Sequence, residues 1–495
     1  MKIVIVGAGL AGTSAAYALA RRAKTDCSIT VVDAGSDVAT VTSFANAGRF
    51  CPTSLSFGSP ASKTGIQRTL LPDCVKTHLL PLPTYDTRAP QQHHMTVNFL
   101  RPTLLYWGIC NVFFQNKERA QRGHRLLADR AVKTMQETLR SFSASALSQM
   151  AIRPGTLYMF LDDHALEVAK QKVEMINHTS SASSSTYAMT VLGTEASVTR
   201  FPFLREWKSN TANALPLASR VPGCVHVDSD WTADARAFVK GLVETIASTR
   251  VPVVFKLNTH ARLIDGNTVH MKHSNGSEEV VKADVVVLAC GVQTNKLLPR
   301  GRRRLPLEGM RGFSVDLSGC QNGGREGHNL PEVGVVDFSS GDLNFQLTPF
   351  ERDRLRIVGF ADFVGEDGKD EPQLNKVSAA VLVDHLRFLL PSLTWTSQRG
   401  TWSGLRPMTP DNLPYVGHMA WGPGRTKVWV CCGHGSTGWT SATATADVLA
   451  HHIFPSEEGE SKEMTELMDT LRPDRFESAL GTIGSFLADT LFRVV

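Results

Sequence analysis

Met1-Lys2-Ile3-Val4-Ile5-Val6-Gly7-Ala8-Gly9-Leu10-Ala11-Gly12 opens the chain, an apolar run that passes straight into glycines at the GxGxxG spacing and then into an alanine-rich stretch. The order predicts a strand, a tight turn and a helix. Gly7 permits the bend, Gly9 removes the Cβ that would obstruct a pyrophosphate, and Gly12 lets the helix pack closely on the strand. The helix N-terminus then turns free N–H groups and a partial positive charge toward an anion. Ser28-Ile29-Thr30-Val31-Val32 reads as a second strand ending in Asp33, about 20 residues past the glycines, where an acid accepts hydrogen bonds from an adenosine ribose. The pattern suits NAD and FAD equally, and a glycine-rich turn that binds nothing is the alternative.

Working outward, 495 residues exceed what one hydrophobic core organises, so two domains interleaved along the chain are expected. A hydrophobic fraction of 42% and a charged fraction of 20% are those of an ordinary globular protein. A net charge of +5 is too mild to indicate nucleic acid, and no base-reading motif accompanies it. The nine cysteines are scattered, without a CxxC pair or a His/Cys cluster at zinc spacing. This pattern predicts no structural metal and a reducing compartment, cytoplasmic or an organellar matrix. A nucleotide strand beginning at Lys2 leaves no room for a leader ahead of it, and no apolar run is long enough to span a bilayer. Arg493-Val494-Val495 is not the usual peroxisomal ending.

Residues 51 to 103 are rich in Pro, Ser and Thr and read as a long irregular excursion, with helical periodicity returning from Arg125 to Leu147. Met150 to Asp163 suggests a turn leading into a strand, and Ser180 to Thr186 an exposed polar insertion. A helix is predicted over Thr232 to Thr249, followed by short strands at Val251 to Phe255 and Asn258 to Ile264. Lys282 to Gly291 is a continuous apolar strand ending in small residues, so its end at Gly291 can meet a cofactor; a plain core strand is the alternative. Arg300 to Arg304 is basic and reads as a solvated loop, with acidic lipid as the minority reading. Leu480, Ile483, Leu487, Leu491 and Val494 make a short amphipathic helix that docks on its own domain, on another subunit or peripherally on a membrane.

Five ordered blocks, the GAGLAG turn, Thr42-Ser43-Phe44-Ala45-Asn46-Ala47-Gly48, the LACG strand end, Trp402-Ser403-Gly404-Leu405-Arg406-Pro407 with the residues to Gly417, and Gly433-His434-Gly435-Ser436-Thr437-Gly438-Trp439, together resemble the FAD-dependent D-amino-acid oxidase and dehydrogenase family. The bacterial D-amino-acid dehydrogenase branch is the nearest in pattern. The resemblance implies FAD and an α/β fold: a Rossmann-like FAD-binding domain from residues 1–50, 225–299 and 401–460, an interleaved antiparallel α+β substrate domain from 51–224 and 300–400, and a tail from 461. It places Ser43, Asn46, Ala47 and Gly48 along the flavin, and Gly435, Thr437 and Gly438 at its pyrimidine edge, where a helix N-terminus favours negative charge on the reduced ring. For Asn46, a turn residue is an equal alternative.

The resemblance makes Arg406 the substrate-carboxylate arginine, since a guanidinium fork pairs both oxygens at once and stays charged when desolvated. Bridging the domains is its alternative role, with Asp411 as a candidate ion-pair partner. His434 is either a wall of the catalytic pocket or a packing histidine, and Cys431 and Cys432 read as packed thiols. Where the family often places a tyrosine, this chain has Leu343-Asn344-Phe345-Gln346-Leu347, which leaves Tyr158 and Tyr187 as replacements. The implied reaction is oxidative deamination of an amino acid, by the resemblance the D-enantiomer, by hydride transfer from Cα to flavin N5, giving a 2-oxo acid and ammonia, with a quinone or oxygen as electron acceptor. A flavin oxidase of glycine, sarcosine or proline-like amines, an FAD-dependent 2-hydroxy acid dehydrogenase and a non-enzymatic flavin-binding protein are the competing readings.

Overall fold

In the computed structural model, Lys2–Val6 lies at the centre of a six-stranded sheet, hydrogen-bonded in parallel to Ser28–Val32 on one side and Val285–Leu288 on the other. Val253–Lys256 extends the sheet beyond Ser28–Val32 in parallel, and Val428–Cys432 extends it beyond Val285–Leu288 in parallel; Tyr415–His418 closes that edge antiparallel. Ile3, Val4 and Ile5 are fully buried, as expected of a strand covered on both faces. The structure describes all residues except 24–25, 58–101, 114–115, 161–162, 181–186, 208–222, 266, 299–303, 323–329, 339–342, 351–352, 366–371, 420–427 and 477–495.

Several helices build one core against this sheet. Leu10–Arg22 presents Ala15, Ala16 and Leu19 to Ala442 and Ala446 of Gly438–Ile453, and Phe238 and Leu242 of Ala235–Ile246 join the same cluster. The small alanines let the helices approach closely, while Phe238 and Trp439 fill the remaining volume. Asp234 begins Ala235–Ile246 by accepting from the backbone N–H of Arg236 and Ala237, the usual satisfaction of a helix start. The 24-residue helix Lys117–Arg140 also buries Leu127, Ala128 and Ala131 in this core, although its position in the chain assigned it to the substrate region.

The second sheet runs in the order 397–408, 308–318, 355–363, 346–349, 334–337, 153–159, 223–232 and 49–50. It is antiparallel except for Gly334–Asp337 beside Arg153–Met159. Helix Pro372–Leu389 lays Leu382, Val383 and Leu386 on Phe313, Leu347 and Ile357 of this sheet. Two expected boundaries shift as a result. Gly223–Thr232 and Ser397–Met408 are hydrogen-bonded into the second sheet, so the chain returns to the nucleotide layer after Thr232 and Met408 rather than at 225 and 401. The C-terminal amphipathic helix, the polar insertion at 181–186 and residues 300–303 of the basic cluster lie outside the described residues. No helix among the described residues is long and apolar enough to cross a membrane.

Candidate active site

The carboxyl ends of the parallel strands bring Gly7, Asp33, Gly291 and the Gly433–Gly435 turn to one edge of the nucleotide sheet, the place where ligands bind in open α/β sheets. Gly7 has φ +108°, and a Cβ there would sit 2.5 Å from the carbonyl oxygen of Ala289. A Cβ on Gly12 would lie 1.8 Å from the oxygen of Gly7, so the helix–strand approach is closed to any side chain. Gly9 differs: a Cβ there meets only the Ser43 hydroxyl, at 3.1 Å. The first turn of Leu10–Arg22 has neither a side-chain cap from Gly9 nor an acidic residue; its start is met by Ser43, whose Oγ accepts from the Leu10 N–H at 3.0 Å.

These features fit a dinucleotide. The helix start is open to an anion, a Cβ on Gly291 would have nothing within 4 Å, and one on Gly435 would reach only the Met408 side chain. Asp33 stands at the expected strand end, where it accepts from the Ala8 N–H at 2.6 Å and the Gly35 N–H at 2.7 Å. The acid therefore shapes the glycine turn as well as standing where a ribose would lie.

Loop 42–48 is fixed from several directions. Asn46 Oδ1 accepts from the Gly48 N–H at 2.9 Å, making Asn46 a turn former in this structure. Its carbonyl accepts from Arg356 at 3.1 Å, and the Ala47 carbonyl accepts from Thr348 at 2.6 Å. Arg356, 2% exposed, is itself clamped by both oxygens of Asp316, which also meets Arg354. The second sheet thus sets the course of loop 42–48, a contribution without a local sequence signal.

Thr42 donates to the carbonyl of Leu405 at 3.0 Å, which joins that loop to the strand carrying Arg406. Arg406 pairs with Met310 across the sheet, and its guanidinium lies against Gly312, where a Cβ would come within 2.6 Å of it. One guanidinium nitrogen donates to the carbonyl of Phe360 at 3.0 Å. Phe360 has φ +65° and sits at a register shift between its strand and 308–318, so a bulge turns this carbonyl toward Arg406. Burial lowers the Arg406 pKa, with Asp362 acting in the opposite direction. Among the described residues, no carboxylate reaches ion-pairing distance of the guanidinium. Met310, Phe363 and Met408 on the sheet strands form an apolar cluster with Trp107 of helix Pro102–Phe113.

Asp411 does not serve Arg406. Its two oxygens accept from Nε and Nη2 of Arg475 at 2.7 and 2.8 Å. His434 is 6% exposed and places Nε2 2.9 Å from the Thr445 hydroxyl, a packing arrangement within the helix that follows. Burial pushes its pKa down to about 4. Thr437 and Gly438 begin that helix, which has no side-chain cap and no acidic residue in its first turn. Cys431 and Cys432 are buried free thiols, the first pushed up to about 12 by burial. Neither proposed tyrosine joins Arg406: Tyr158 donates to Asp230 at 3.0 Å, and Tyr187 donates to Asp129 at 2.9 Å.

Comparison with known proteins agrees with this geometry. Residues 2–452 match the DAO family, described as FAD dependent oxidoreductase. The chain is 28% identical over 459 residues to a D-amino acid dehydrogenase of Neisseria meningitidis serogroup C, covering 91% of this chain and 96% of that protein. It is 27% identical to D-amino acid dehydrogenase 2 of Ralstonia nicotianae, over 92% and 96% of the two chains. Glycine oxidase from Bacillus cereus superposes with a TM-score of 0.57 at 16% identity, covering 95% and 98% of the two chains. L-proline dehydrogenase from P. horikoshii gives 0.58 at 16% identity, covering 97% and 98%. The nucleotide edge, the ordered loop and the extent of the match lead to one assignment: the chain belongs to the DAO family of FAD-dependent oxidoreductases, and its cofactor is FAD.

Proposed function

We propose that this protein is an FAD-dependent dehydrogenase that deaminates D-amino acids oxidatively. The observation that carries the reading is Arg406, a half-buried guanidinium with no carboxylate at ion-pairing distance among the described residues, on the strand tied to loop 42–48 by Thr42. The Phe360 carbonyl takes one of its N–H groups and fixes the plane of the fork, leaving the remaining donors for both oxygens of a substrate carboxylate. The relatives named D-amino acid dehydrogenase support the substrate class and the chirality.

FAD supplies the hydride acceptor. Arg406 anchors the carboxylate so that the Cα–H of a neutral amine points at the ring, and this positioning accounts for much of the rate. The side chains of Met310, Met408 and Trp107 keep the neighbourhood of Arg406 apolar, which strengthens the carboxylate pairing. Loss of hydride from Cα of the neutral amine leaves a positively charged iminium, which water converts to the 2-oxo acid and ammonium. No proton-transfer side chain is required, in keeping with a His434 ring engaged by Thr445. Gly7, Gly9, Gly12 and Asp33 would hold the adenosine and pyrophosphate, Ser43, Ala47, Gly48 and Gly291 the middle of the cofactor, and Gly435, Thr437 and Gly438 the ring edge.

Anaerobic mixing of the holoenzyme with D- and L-amino acids, following flavin absorbance, tests the proposal. Bleaching by D-amino acids with matching yields of ammonia is expected. Bleaching only by 2-hydroxy acids, or by no amine at all, would overturn it. Oxygen uptake compared with quinone reduction in the same preparation identifies the electron acceptor.

A further inference from the structure

Gln346 opens the strand Gln346–Pro349 of the second sheet and has no part in the mechanism above. The residue is half-buried, and its Oε1 is buried without a hydrogen-bond partner among the described residues. Val336 and Val358, opposite it on the two neighbouring strands, are apolar and only 6% and 4% exposed, so their side chains cannot meet the amide. A shielded acceptor of this kind costs free energy until a donor reaches it.

The sheet register shows which way the amide faces. Phe345 and Leu347, both fully buried, pack in the core beneath helix Pro372–Leu389, so strand alternation sends Gln346 and Thr348 to the opposite face. Thr348 on that face donates to the carbonyl of Ala47 in loop 42–48. Arg406 shares the face: Gln346 is opposite Val358, Val358 opposite Ser314, and Ser314 opposite Trp402, four residues before Arg406 with no register shift between them. The Arg406 guanidinium lies against Gly312, on strand 308–318. That strand is two places from Gln346–Pro349 in the sheet, a separation of about 10 Å. An amino acid with its carboxylate on Arg406 needs a side chain of a few atoms to cross that interval.

We propose that Gln346 is a specificity-determining residue whose Oε1 accepts a hydrogen bond from the end of the substrate's side chain, so that the enzyme favours D-amino acids carrying an uncharged side-chain donor. The proposal rests on the function and the carboxylate site given above. Discrimination follows from what each side chain does to the shielded oxygen. A side-chain amide donates to it, whereas an aliphatic group of the same shape displaces any water there and leaves the acceptor unmet.

The test is anaerobic flavin reduction by two pairs of similar shape, D-asparagine with D-leucine and D-glutamine with D-methionine, in wild type, Gln346→Met and Gln346→Glu. In wild type the ratio of reduction rate to dissociation constant should favour the amide by about 30-fold in the pair whose length spans the interval. Gln346→Met keeps the length of the side chain and removes the acceptor, so that ratio should fall to about one. Gln346→Glu retains an acceptor and should keep the preference for the amide. A wild type that treats the members of both pairs alike would overturn the proposal, a result that needs no variant to fold. An equal loss for both members of a pair in Gln346→Met would also overturn it, by making the residue structural. Flavin that no D-amino acid bleaches, D-alanine included, would instead refute the function on which the proposal rests.

Discussion

Two arginines of this molecule are treated in opposite ways. Arg475 pairs both its Nε and Nη2 with the Asp411 carboxylate, donates further to the carbonyls of Leu413 and Pro414, and lies 4.1 Å over the ring of Tyr415. Burial works against its charge, but Asp411 together with Tyr415 and Cys432 outweighs it and the pKa is raised. Arg406 has one carbonyl and a lowered pKa, also from burial. A fully matched guanidinium holds chain segments together; in the function proposed above, one with most of its donors unmatched receives an external carboxylate. The side-chain type is the same, and its unmade contacts distinguish the two roles.

The largest effect expected from breaking this contrast is on the matched side. Asp411→Ala leaves Arg475 buried without its counter-charge, so chemical denaturation should show a loss of about 3–5 kcal/mol. In Asp411→Leu with Arg475→Met, most of that loss should disappear, because no unpaired charge remains. If the double variant is as unstable as the single one, the pair is more than an electrostatic match.

On the unmatched side the expected effect is functional. Arg406→Lys replaces the fork with a point charge, so kcat/KM for carboxylate substrates should fall about 100-fold, or about 2.7 kcal/mol, with little change in melting temperature. An equal fall for an amine lacking a carboxylate would contradict the role assigned to Arg406.

The smallest effect sharpens the comparison by asking what burial alone does to a cationic group. His434, buried against Thr445, is pushed from 6.5 down to about 4, so the unfolded chain takes up a proton first as the pH falls. Its contribution to stability is present above about pH 6.5 and is lost progressively toward pH 4. At pH 5.5 this amounts to about 1 kcal/mol, and His434→Gln should flatten the acid limb of a denaturation series by that amount. His452, also lowered to about 4 by burial, remains in the variant and leaves a residual slope.

Much of the nucleotide layer was legible in the sequence because its determinants are local. The glycine spacing, the acid after the second strand and the apolar run ending at Leu288 each specify backbone geometry within a few residues. What surrounds Arg406 was less accessible. The Phe360 carbonyl reaches it through a bulge between strands 308–318 and 355–363, and Arg356 reaches loop 42–48 from more than 300 positions along the chain. Such contacts depend on sheet register, which a single sequence does not express. Asp411 shows the same limit: five residues from Arg406, it nevertheless pairs with an arginine 64 residues farther on.

The grip of Arg356 and Thr348 on the carbonyls of Asn46 and Ala47 has a consequence for engineering. Neither sheet is a transplantable module, because loop 42–48 beside one takes its shape from the other. A chimera that exchanges only the substrate-side strands for those of a related enzyme should disturb cofactor retention before it alters substrate choice, unless the residues that anchor the loop travel with them.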